Sequence, residues 1–254
     1  SLTLFEDAAV GAVNDFVMTG PNRGWAVGIS PERYDEPPAK GYNYGRVWRL
    51  EGGAWTPQSL KPAGELTTLR PAGSDSGYAY GWRSLYYYAG DAWTLLRAYT
   101  QIGDIFWIGA ADGLADGSRF WYVRRFVYND SADLIDSQSD TPFRLPAPLI
   151  DLDVLSAEYG WGISANGVVM RFDGATWGAV DAPIAAGDTL THVQTVGIDN
   201  VFIIGYTAAN QDFILHYDGV AWTRSASPIA GQFSDLALIS AAISSGNLPL
   251  QPES

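Results

Sequence analysis

VFIIGYTAANQDFILHYDGVAWT, residues 201–223, is the stretch whose reading decides the fold. An apolar run from Val201 to Ile204 ends in Gly205. A polar loop follows, then a second apolar run from Phe213 to Tyr217, an Asp218-Gly219 step and Trp222. A short run that is apolar at every position reads as a strand covered on both faces. Asp-Gly between two such runs signals a tight hairpin, because glycine adopts positive φ without steric cost. Upstream, TLTHVQTV (189–196) alternates as a strand does. The unit is therefore four strands: 189–196, 201–204, 213–217 and 221–225.

Copies of the unit recur. PLIDLDVL (148–155), YGWGIS (159–164) and GVVMRFDGATW (167–177) form one; ELTTLR (65–70), YAYGW (78–82) and SLYYYAGDAW (84–93) another; NDFVMTG (14–20), GWAVG (24–28) and YGRVWRLEGGAW (44–55) a third. The middle copy is degraded. It keeps IFWIG (105–109) as its Gly-ended second strand and RFWYVRRFVY (119–128) as its third, with Asn129-Asp130-Ser131 as the turn and no tryptophan after it. Trp55, Trp93, Trp177 and Trp222 are separated by 38, 84 and 45 residues, the 84 bridging the degraded copy. A period of about 42 residues carrying four strands is that of a β-propeller blade. The reading is all-β and one domain over 1–254, with blades near 12–60, 61–97, 98–146, 147–185 and 186–230, and 231–254 closing the ring or starting another blade. Five blades are favoured; six, or a piece of a larger propeller, are the alternatives.

The 254 residues suffice for one large domain, and the ten tryptophans suit sheets stacked face to face. A net charge of −13 argues against nucleic acid and against anionic membrane surfaces, which both select Lys/Arg clusters. The absence of cysteine excludes disulfides and thiolate metal sites. The low lysine content, the aromatic richness and a start at Ser1 fit a bacterial protein exported to the periplasm, the cell surface or outside the cell.

No nucleophile elbow, HExxH, P-loop or dinucleotide fingerprint is present. His192 and His216 read as hydrogen-bonded structural imidazoles. The segment 30–45 is the longest loop, stiffened by Pro37-Pro38, and long loops on rigid scaffolds carry binding. The candidate ligand-binding residues are Arg33, Tyr34, Tyr42, Tyr44, Trp82 and Arg83. Trp25, Trp107 and Trp161 read as core, and the Tyr86–Tyr88 run as packing on alternate faces. Calcium is the metal this acidic chain would take, with Asp112 and Asp116 as candidate ligands in the loop 110–120, although the ion wants six to eight oxygens. No other cofactor is expected.

The repeats GWAVG…RVWRLEGGAW, GWGIS…VVMRFDGATW and VFIIG…FILHYDGVAW resemble the bacterial "WAVG–DGxxW" propellers, relatives of the photosystem assembly-factor and sialidase Asp-box propellers. Asp173-Gly174-Ala175-Thr176-Trp177 is one residue shorter than an Asp box. The sialidase arginine triad and nucleophilic tyrosine match no positions here. The assembly-factor resemblance implies protein binding, and the arginine-rich patch of those relatives has no evident counterpart in the sequence. The expectation is a non-enzymatic binding or scaffolding module with a protein partner. A glycan-binding lectin, with aromatic pockets between blades, is the alternative. A glycoside hydrolase, with two carboxylates in a pocket on the axis, is a lesser one.

Overall fold

The computed structural model describes residues 11–33, 43–60, 64–99, 106–126, 128, 131–139 and 141–227. They form five four-stranded antiparallel sheets, each in sequence order, and no helix. The first holds β1 (Ala12–Gly20), β2 (Arg23–Arg33), β3 (Asn43–Glu51) and β4 (Ala54–Leu60); the second β5 (Leu66–Pro71), β6 (Ser76–Gly81), β7 (Ser84–Ala89) and β8 (Ala92–Ala98). The third holds β9 (Phe106–Gly113), β10 (Phe120–Phe126), β11 (Ala132–Asp136) and β12 (Pro142–Arg144). The fourth holds β13 (Leu149–Ser156), β14 (Tyr159–Ser164), β15 (Val169–Phe172) and β16 (Trp177–Val180); the fifth β17 (Thr189–Gly197), β18 (Asn200–Tyr206), β19 (Asp212–Tyr217) and β20 (Trp222–Ala226). This is a β-propeller with five blades. The closing segment 231–254 lies outside the described residues.

The third sheet departs from the expected strand assignment by one strand. Phe106–Gly113, expected as a second strand, is the first, and Phe120–Phe126 is the second. Asn129-Asp130-Ser131 falls between β10 and β11, and β11 (Ala132–Asp136) was not expected as a strand. The cause is local. Ala132–Asp136 pairs with Trp121–Arg125 and is buried, yet its flanking Asp and Ser residues mask the apolar pattern.

All four turn tryptophans share one register. Trp55, Trp93, Trp177 and Trp222 sit opposite Leu50, Tyr88, Phe172 and Tyr217, each five residues earlier. In the fourth and fifth sheets the turn is wider than a two-residue hairpin. The Asp173 carboxylate accepts from the Ala175 and Thr176 N–H groups at 3.0 and 2.8 Å, and Asp218 from Val220 and Ala221 at 2.9 and 2.8 Å. A carboxylate that satisfies two turn N–H groups replaces the cross-strand bond a tighter turn would make.

The glycine near the end of the second strand in the first, second and fifth sheets has a packing reason. A methyl group on Gly28, Gly81 or Gly205 would collide with the carbonyl oxygen of Ala12, Glu65 or Thr189, where the first strand begins. The irregular pairing beside these positions brings the two backbones together there.

Four apolar clusters fill the four boundaries between consecutive sheets. The Tyr86–Tyr88 run is divided as its alternation requires: Tyr86 and Tyr88 are buried against the first sheet, and Tyr87 packs toward the third. Carboxylates on first strands tie neighbouring sheets. Asp15 accepts from the Leu69 N–H at 2.8 Å, Asp112 from Val154 at 2.6 Å, Asp151 from Val193 at 2.9 Å, and Asp153 from Thr195. Asp151 and Asp153, two apart, bind Val193 and Thr195, also two apart. The first strands of these sheets therefore run the same way, and like ends of neighbouring sheets align.

Candidate arginine and aromatic docking surface

In every sheet the first-to-second and third-to-fourth turns lie at one end, and the remaining connections at the other. Trp82 and Arg83 form the two-residue link between β6 and β7, at that second end. The link is fixed by its neighbour. The Ile108 N–H donates to the Trp82 carbonyl at 3.1 Å, the Tyr99 N–H to the Arg83 carbonyl at 2.7 Å, and Arg83 Nη1 to the Tyr99 carbonyl at 3.3 Å. Trp82 is nevertheless 61% exposed, the reverse of the buried tryptophans elsewhere. A large apolar ring held out to solvent on an anchored backbone is preorganised for contact, because little conformational entropy remains to be lost.

The Trp82 indole packs on Trp107, centroids 5.3 Å apart, and Trp107 in turn lies under the Arg125 guanidinium at 4.6 Å. Trp107 was expected in the core of a second strand. It is on β9 and half-buried, because the strand assignment of this sheet is shifted. Arg125 pairs with Trp107 across β9 and β10. Its stem crosses Gly109, where a Cβ would stand 2.5 Å from the Arg125 Cδ, so glycine makes the space that lets the arginine lie flat. Next to it Arg124 covers Phe106 at 4.6 Å, and Arg144 covers Phe126 at 4.9 Å. Asp133, buried, bonds Arg124 at 2.9 Å and Arg144 at 3.1 Å. Tyr128, at the same end, is 82% exposed.

Arg83, Arg124, Arg125 and Arg144 thus lie at one end of the second and third sheets, in a chain whose net charge is −13, whereas the Arg97 guanidinium reaches over Phe120 and Tyr122. Guanidinium groups lying over aromatic rings present cationic and apolar surface side by side. The arrangement can hold a segment that carries acidic and aromatic groups together.

The other sequence candidates are dispersed. Tyr34 and Tyr42 lie outside the described residues. Arg33 is exposed at the end of β2, and Tyr44 is half-buried on β3. Asp112 is buried on β9 with its carboxylate on the Val154 N–H, whereas Asp116 is exposed and binds the Ser118 N–H at 3.0 Å and hydroxyl at 2.7 Å. Among the described residues no three His, Cys, Asp or Glu side chains converge as metal ligands would. His216 stacks on Phe202 and its Nε2 meets Asn200 Oδ1 at 2.9 Å.

Between the first strands, Arg70 of the second sheet reaches Asp151 of the fourth, past the third. Burial first, and then the neighbouring Asp153, push the Asp112 carboxyl well above the usual carboxylate range. Burial pushes Asp153 the same way. These acids are engaged by backbone N–H groups and by Arg70. Indole rings fill the inter-sheet boundaries: Trp161 and Trp25 are 0% and 3% exposed, as the sequence expects of them. Among the described residues, a cavity of about 280 Å³ lies beside Arg49 and Asp91 and one of about 220 Å³ beside Trp121 and Asp136. Among the described residues no helix is long and apolar enough to cross a membrane.

No family model matches the chain, and no curated protein matches it. Solved structures do. YCF48 bound to D1 peptide is 13% identical, with a TM-score of 0.50, over 85% of this chain and 82% of that one. YCF48 from Cyanidioschyzon merolae is 14% identical, with a TM-score of 0.50, over 86% of each. A chain of the mitotic checkpoint complex is 9% identical, with a TM-score of 0.52, over 89% and 81%. At these identities the likeness is one of fold, and the fold it places this chain in is the β-propeller.

Proposed function

We propose that this chain is an exported protein-binding module whose docking surface is the arginine and aromatic end of the second and third sheets. The observation that carries the reading is Trp82, exposed on an anchored link and packed at a tilt against Trp107 beside Arg125. Exposed tryptophan and arginine side chains are the residue types that dominate binding energy at protein interfaces. The partner presents a flexible segment with carboxylates next to an aromatic side chain. That two structures of similar fold are recorded with a peptide or in a multiprotein complex supports a binding role.

A displayed peptide library tests it. Binders to the wild-type chain are enriched in Asp or Glu beside Tyr, Phe or Trp, and Trp82→Ala or Arg125→Ala weakens them by about tenfold or more. Equal recovery on wild type and both variants defeats the proposal. A glycan is the second reading, favoured by the same exposed indole, since sugar rings stack on aromatic faces. Hits on a glycan array that vanish in Trp82→Ala, with no peptide enrichment, would put it first.

A further inference from the structure

The opposite end of the molecule has a different chemistry in the fourth and fifth sheets. Leu155 and Val196, each the penultimate residue of its first strand, are 41% and 37% exposed. Ile198, in the turn after β17, is 66% exposed, and Val220, in the turn before β20, is 90% exposed. Isolated exposed aliphatic residues are ordinary, but these four lie in or beside turns that touch one another. Tyr159 Oη donates to the Ile198 carbonyl at 2.6 Å, which joins the two first turns. A Cβ on Gly174 would lie 3.2 Å from the Glu158 Cα, and one on Gly219 2.6 Å from the Asp199 Cβ, so each later turn touches the earlier turn of its own sheet.

Between the aliphatic residues stand Glu158, Asp173, Asp199 and Asp218, and the four turns contain no Lys or Arg. Hydrogen bonds from their own turn N–H groups hold the Asp173 and Asp218 carboxyls below the usual range, so both are charged at neutral pH. The adjacent arginine, Arg119, bonds the Ala157 carbonyl at 3.1 Å and is committed to Asp136 at 2.6 Å. Arg171 also lies close, over the Tyr159 ring at 4.9 Å. A partly apolar surface on which carboxylates outnumber cations among the described residues selects against acidic segments and for basic ones.

From this we infer that the turn end of the fourth and fifth sheets docks a basic amphipathic segment of a second protein, its aliphatic side chains on Leu155, Val196, Ile198 and Val220 and its Lys or Arg on the flanking carboxylates. The inference rests on the reading of the chain as a binding module but uses the end away from Trp82. The two ends have opposite charge character, so one molecule bridges an acidic partner and a basic one.

Two synthetic peptides of equal lysine content test it, one with leucines at helical spacing and one with serines in their place. Each is titrated by fluorescence anisotropy against the chain. The leucine peptide binds tighter by about tenfold, or ~1.4 kcal/mol. Ile198→Ser with Val220→Ser, both at exposed positions, removes that advantage. Glu158→Gln with Asp199→Asn weakens both peptides and flattens the salt dependence, and Trp82→Ala changes neither. Equal binding of the two peptides, or an undiminished leucine advantage in the serine variant, overturns the inference, because a chain of this charge attracts any polycation. Self-association of the chain that the serine variant abolishes also overturns it, by making a second copy the occupant. Loss of acidic-peptide binding in Trp82→Ala bears only on the loop-end reading.

Discussion

Trp93 meets Trp25 edge to face across the boundary between the first and second sheets, with ring centroids 5.2 Å apart and planes at 83°. Trp222 meets Trp161 across the fourth and fifth sheets at 5.5 Å and 88°. Trp177 shares a cluster with Trp121, with Phe172 between them, at 5.2 Å from Trp177 and 5.1 Å from Trp121. A turn tryptophan thus meets the second strand of the preceding sheet directly twice, and once through Phe172. An arginine accompanies it each time: Arg49 over Trp25, Arg119 over Trp121 and Arg171 over Trp161.

The first prediction concerns that contact. Trp161 is fully buried and central to the cluster between the fourth and fifth sheets. Trp161→Ala should cost about 3–5 kcal/mol of stability through lost burial and a cavity, and Trp161→Phe clearly less. Denaturant unfolding measures both. A loss for Trp161→Ala within about 0.5 kcal/mol of wild type, as for a surface substitution, would mean the indole is not part of the core.

The second concerns close backbone approach. Gly81→Ala places a methyl group against the Glu65 carbonyl oxygen, whereas Gly178→Ala, with open space around its Cβ position, meets nothing. The first should destabilise by about 1–3 kcal/mol and the second by under about 0.5 kcal/mol. Thermal melts of the two variants side by side check the difference. Equal melting temperatures would show that β5 and β6 do not approach as described.

The third follows from the acids between the first strands. The Asp112 carboxyl, pushed up to about 8 chiefly by burial, keeps its proton in the folded chain where an unfolded carboxyl, ionising near 4, has lost it. The native state binds the extra proton throughout that window, so stability declines as pH rises from about 4 to about 8. Asp112→Asn retains an oxygen for the Val154 N–H and removes the titration. Its melting temperature should therefore fall less over that range than the wild-type value. Parallel pH profiles for the two proteins would show that Asp112 does not titrate there.

The blades were readable because each repeat carries its own punctuation. Gly205 marks where the second strand meets the first, Asp218-Gly219 marks the turn, and Trp222 marks the rim contact. The third sheet lacks that punctuation, since Asp136 is followed by Ser137-Gln138-Ser139 with no turn tryptophan, and its strand assignment slipped as a result. The proposed docking surface was partly visible. Trp82 and Arg83 were among the candidate ligand-binding residues, but the positions of Trp107 and Arg125 depend on the slipped strands. The arginines were hidden by averaging. Arg83, Arg124 and Arg144 belong to separate elements and share one end only because strand direction brings them there. Tracking which end of each strand a charge occupies would have revealed them once the third sheet was assigned correctly.

The central claim is that the end bearing Trp82, Trp107 and Arg125 is where a partner sits. Hydrogen exchange of the chain with and without a selected acidic and aromatic peptide tests it directly. The account predicts slowed exchange concentrated in the Trp82-Arg83 link, the start of β9 and the end of β10, and no such change in Trp82→Ala. Slowed exchange confined to the turns around Ile198 and Val220, or to residues 34–42, would contradict it.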